Sequence, residues 1–133
     1  MLGVIPRRKS PYASGPTTVT WTIAAEAANM IAVNGVVKGP NGRALANTVI
    51  DVYVSGTAGG SDIVGTAPTG GVAIGTYGKI LASLVTNKMV KVRTDSSGRF
   101  TLNLTDSGTA TFYLHAVLPD GTTSASGAIT FAA

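Results

Sequence analysis

The chain has 133 residues, 44% of them aliphatic or aromatic and 12% charged, with no cysteine and a formal net charge of +4. That length suits one core of roughly 100 to 150 residues, and the missing thiols exclude disulfides, thiolate catalysis and cysteine-based zinc sites together. The surface must be covered largely by Thr, Ser, Asn and Gly, and the Val- and Thr-rich composition is the palette of a β protein.

Residues 1–16 carry Pro6, Pro11 and Pro16 with Gly3 and Gly15, a spacing that forbids regular helix and favours an extended arm. Arg7, Arg8 and Lys9 give this arm a charge of +3 with no acid, while residues 17–133 hold seven bases and six acids and are nearly neutral. Pro6 and the basic run cut short the apolar start, so a secretory signal core is not formed, and the apolar stretch from Trp21 to Val33 is too short to span a bilayer. The expectation is a soluble chain made in the cytoplasm.

From Thr17 an alternation begins, with Val19, Trp21 and Ile23 on one face and Thr18, Thr20 and Thr22 on the other, as in a half-buried strand. The following AAEAANM is short and uncapped, so it reads as a strand end and connection rather than a helix. Ile31 to Lys38 is a second strand, stopped by the turn signal GPNG at Gly39 to Gly42. Val49 to Val54 is a third, with Ile50, Val52 and Val54 opposite Asp51 and Tyr53.

Ser55 to Gly78 breaks the rhythm, holding eight of the seventeen glycines. Loops of that length inside compact domains are usually functional, and residues 55–87 are expected to be an insertion or an extra hairpin, extended by Lys79 to Val85. Further strands fall at Lys88 to Thr94, Arg99 to Leu104, Thr109 to Leu118 and Ala128 to Phe131, separated by DSSG, TDSG and PDGT turns. About seven short strands, each closed by a Gly-bearing turn, predict an all-β antiparallel sandwich over 17–133.

With the strands laid out, VNGVVKGPNGRALANTVIDVYVSG and the later TDSSGRFTLNLTDSGTATFYLHAVLPDGTTSASGAITF resemble the bacterial immunoglobulin-like domains of invasin and intimin type. The resemblance covers about Thr17 to Ala133, apart from the Gly-rich insertion. It implies an immunoglobulin-like sandwich of the kind found in adhesins and in bacteriophage virion proteins. With a single copy and a basic arm, the layout is similar to a phage capsid decoration or cement protein, located in the virion. The alternative is a tail or fibre module that binds a host surface or carbohydrate. The implied partner is a capsid or tail protein of the same assembly, in many copies, with homo-oligomers allowed. A fold of this kind hosts many functions and names none by itself.

Chemistry-bearing residues are sparse. The one histidine, His115, sits on a predicted strand as an outward-facing side chain, and a catalytic set with Asp106 or Asp120 lacks a nucleophile-elbow sequence. GTYGK at Gly75 to Lys79 has neither the spacing nor the trailing hydroxyl of a phosphate loop. The six acids are scattered singly, unlike a Ca²⁺ site. Asp95, in TDSSGRFTLNL, reads as a turn residue that accepts a backbone N–H near Ser97 or Gly98.

Three arm cations on phosphates would give a salt slope of roughly −2.7, too shallow for a dedicated nucleic-acid binder. No catalytic residue, metal or cofactor is expected, and no membrane contact. Partner contacts are assigned to Leu2, Val4, Ile5, Arg7, Arg8, Lys9 and Tyr12 of the arm, and to Tyr53, Tyr77 and Lys79 around the insertion.

Overall fold

A computed structural model of the protein describes residues 16–119 and 121–132. Nine strands follow one another: β1 (Thr18–Ile23), β2 (Met30–Lys38), β3 (Val49–Ser55), β4 (Gly71–Ile74), β5 (Lys79–Val85), β6 (Met89–Arg93), β7 (Arg99–Thr105), β8 (Thr111–Val117) and β9 (Thr123–Thr130). They form two antiparallel sheets, ordered β1-β2-β7-β4 and β5-β6-β3-β8-β9. The described residues contain no helix.

The alternation read from the sequence sets which side chains go inward. Val19, Ile31, Val33, Val37, Phe100, Leu102 and Leu104 of the first sheet face Ile50, Val52, Val54, Val90, Val92, Phe112, Leu114 and Ala116 of the second. Phe100 lies directly opposite Gly35, in register between β7 and β2. A Cβ at Gly35 would overlap the Phe100 ring, so the missing side chain is the slot that the ring fills. Trp21, only half buried, meets Phe100 edge-on at 5.6 Å.

AAEAANM is a connection, as expected. Ala27 and Met30 exchange backbone hydrogen bonds across Ala28 and Asn29, both at positive φ (52° and 64°), a tight two-residue hairpin turn.

Strands β1, β2 and β7 facing β3, β8 and β9 reproduce the neighbour relations of an immunoglobulin-type sandwich. The strand count differs from the expected seven because the insertion supplies one edge strand to each sheet. β4 pairs with β7, and β5 pairs with β6. Between them the chain stays bonded to β7, Gly75 N–H donating to Thr101 O and Thr101 N–H to Tyr77 O, before it crosses to the other sheet.

The opposite side is closed by side chains. Ser124 of β9 donates to Val19 O at 3.1 Å and accepts from Trp21 Nε1 at 3.1 Å. β9 also begins five residues earlier than the sequence suggests, because TSASG has no apolar alternation to reveal it.

Candidate functional site

The arm residues Leu2, Val4, Ile5, Arg7, Arg8, Lys9 and Tyr12 lie outside the described residues, as does Asp120. Site geometry therefore concerns the turns, the insertion and the outer faces of the two sheets.

Asp95 occupies the place its sequence context assigns. Its Oδ1 accepts from Ser97 N–H at 2.8 Å and Arg99 N–H at 2.9 Å, and its Oδ2 accepts from Arg99 Nε at 3.1 Å. Gly98 completes the turn at φ +77°, where a side chain would also press on Ala44 and the Leu45 backbone. Burial pushes the Asp95 carboxyl up, but the amides of Arg99 and Ser97 and the Arg99 guanidinium outweigh it and hold the group below its ordinary value.

A depressed carboxylate binds fewer protons folded than unfolded, so its contribution is full above the unfolded value and is lost as pH falls through the folded one. Asp95→Asn is expected to flatten the acid limb of a stability-against-pH curve. At neutral pH, Asp95→Ala should cost about 1–2 kcal/mol in denaturant titrations.

His115 requires a correction. It does point outward from β8, but it is only 1% exposed, because Gly56 to Gly60 folds back over it. Its Nε2 lies 3.3 Å from Thr57 O, its ring stacks on Tyr53 at 5.3 Å, and its buried Nδ1 has no hydrogen-bond partner. The Tyr53 hydroxyl donates to Gly60 O. Burial, reinforced by the charge of Asp62, pushes the Tyr53 phenol up, which keeps that donor protonated.

Asp106 does not approach this histidine. Its carboxylate is buried and accepts from Thr69 N–H at 2.8 Å and Gly108 N–H at 3.0 Å, tying the insertion to the β7–β8 turn. Beside it lies a cleft of about 530 Å³ lined by Val64, Ala67, Thr69, Ala110 and Phe112. Its one carboxylate is already committed to those two amides. Among the described residues no group of three or more His, Asp or Glu side chains is arranged to hold a metal ion.

The insertion residues part company. Tyr53 gives a ring face to His115, and Tyr77 gives one to the Arg99 guanidinium, 3.8 Å from its centroid. Lys79 starts β5, exposed, directly opposite Arg93 of β6. Lys79, Arg93, Asn47, Thr94 and Asp95 line a second cleft of about 280 Å³. Lys79 was named from the sequence as a partner contact; Arg93, beside it in the cleft, was not, although its outward position in the alternating MVKVR is readable.

No protein-family model and no curated protein matches the chain. Among solved structures, a superoxide reductase crystallised in the oxidised state is similar over 94% of this chain and 95% of that one, at 7% identity and a TM-score of 0.42. So distant a likeness carries no statement about activity.

Proposed function

We propose that the protein is a non-enzymatic structural component of a virion-like assembly, a capsid decoration or cement protein of invasin-like immunoglobulin type held to its particle by the basic arm. The observation that carries this reading is how the domain uses its polar groups. Asp95, Asp106, Tyr53 and His115, the side chains with chemistry to offer, are committed to its own turns and to the loop over β8. What remains available is surface, together with a charged arm of +3 in sequence.

On a capsid protein the arm would bring Leu2, Val4, Ile5 and Tyr12 into apolar contact and Arg7 to Lys9 against acidic groups. The tail or fibre alternative relies on aromatic contacts to sugar, and each of Tyr53 and Tyr77 already has a ring face occupied.

Removing residues 1–15 keeps the buried Pro16 and should leave thermal unfolding nearly unchanged, while the truncated chain no longer sediments with large particles in density gradients of producing cells. A truncated protein that still co-sediments at full occupancy would sink the arm mechanism. A full-length protein found only at the top of the gradient would sink the assembly reading itself.

A further inference from the structure

The two outer faces of the sandwich differ in chemistry. On the four-stranded sheet the outward positions include Thr18, Thr20, Thr22, Asn34, Asn103 and Thr105, beside Met30, Ala32 and Val36. On the five-stranded sheet they include Val49, Val117, Met89 and Val85, with the cations Lys79, Lys91 and Arg93. Eight large apolar residues are exposed among those described, and five of them, Val49, Leu81, Leu84, Val85 and Val117, belong to β3, β5 and β8 of this one sheet.

Leu81 and Leu84 owe their exposure to a backbone device. The β5–β6 register shifts once between Ile80 and Ala82 and again between Ser83 and Val85, so each leucine is the extra residue of a bulge. They are 43% and 45% exposed. Bulges at an edge resist the addition of another strand, so β5 offers side chains rather than its backbone.

The charges give the direction. Lys91 is neutralised by Asp51 at 2.9 Å, and Lys88 Nζ donates to Gly65 O at 2.8 Å. Lys79 and Arg93 have neither ion pair nor hydrogen bond from their side chains among the described residues, although they stand directly opposite each other. Like charges so placed repel. Asp95, in the same cleft, has its oxygens turned to Ser97 and Arg99.

We propose that this face docks a protein partner whose contact patch carries a carboxylate at the rim, received between Lys79 and Arg93, and aliphatic side chains that meet Val49, Val117, Leu81 and Leu84. The carboxylate relieves the repulsion between the two cations and fixes orientation, while the aliphatic patch supplies apolar area. A second copy fits poorly, since its own uncompensated cations would be brought up to these. A lipid surface fits poorly too, because the exposed apolar residues lie along strands and include no Trp or Tyr of the kind that anchors at a bilayer interface. The inference is independent of the arm.

The test titrates the ¹⁵N-labelled full chain with a synthetic peptide alternating Glu with Val and Leu, with its Lys-for-Glu counterpart, and with phosphatidylserine vesicles. Saturable shifts confined to amides around Val49, Lys79, Leu81, Leu84, Arg93 and Val117 with the acidic peptide alone are expected. The double reversal Lys79→Glu and Arg93→Glu should weaken that binding about tenfold or more, about 1.4 kcal/mol, with an unchanged unfolding midpoint. No saturable binding, equal binding of the basic peptide, shifts on the threonine face, indifference to the charge reversal, vesicle binding in place of peptide binding, or dimerisation through this face would each overturn the proposal.

Discussion

Replacing Phe100 by Ala is expected to cost about 3–5 kcal/mol, the range for removing a fully buried aromatic side chain. For a chain of this size that lowers the unfolding midpoint by roughly 10–20 °C. The size follows from what the ring does: it is fully buried, fills the slot at Gly35 and supports Trp21 edge-on. Edge-to-face aromatic pairs add about 0.5–1.5 kcal/mol beyond burial. Gly35→Ala should be destabilising by about 1–3 kcal/mol in the native background, because its methyl group overlaps the ring. In the Phe100→Ala background the same change should cost little, since the methyl enters the vacated space. Chemical denaturation of the two single variants and the double variant checks this, and additive losses would show that the slot is not what couples the two positions.

Gly60→Ala is expected to be strongly damaging for a single added methyl. Gly60 sits at φ +65°, which costs an L-residue about 1–2 kcal/mol, and the new Cβ would lie 2.5 Å from His115 Nδ1. Strain and overlap together should remove about 2–4 kcal/mol. The damage should be local first: amide exchange at Gly60 and at Val64, which donates to Val54 O, should accelerate more than exchange in β2 or β7. Adding His115→Ala should relieve the overlap but not the backbone strain, and so restore part of the loss. A fully stable Gly60→Ala variant would mean that the loop does not clamp the histidine.

Both predictions concern residues whose roles the sequence expressed unequally. Phe100 was plain, because Phe100, Leu102 and Leu104 alternate strictly behind the DSSG turn. The same pattern exposed the inward faces of β1, β2, β3 and β6, where apolar residues recur at every second position apart from Gly35 in β2. β4 was hidden: Gly71 to Ile74 is only four residues long and becomes a strand through partners in β7, distant in sequence. His115 was placed on the correct face and given the wrong environment, because its cover comes from a glycine-rich loop whose fold-back leaves no periodic trace.

The proposed docking face was legible in part. Lys79 was singled out from the insertion, yet the bulges that expose Leu81 and Leu84 depend on the pairing with β6, and KILASLV alone reads as an ordinary edge strand. The opposition of Lys79 to Arg93 is likewise a matter of register. Residues 14 apart become neighbours only when the β5–β6 hairpin forms.

The pairing of β2 with β7 also governs how the chain reaches its fold. Ile31 meets Leu104 at the centre of the first sheet, 73 residues later in the chain. On the ribosome, the β1–β2 hairpin must therefore wait with the other edge of β2 unpaired until residues 99–105 have emerged. Such distant pairings place the domain among the slow sandwich folders, in the range of milliseconds to seconds. During that interval an early hairpin is open to wrong partners, and completion of β7 ends the exposure.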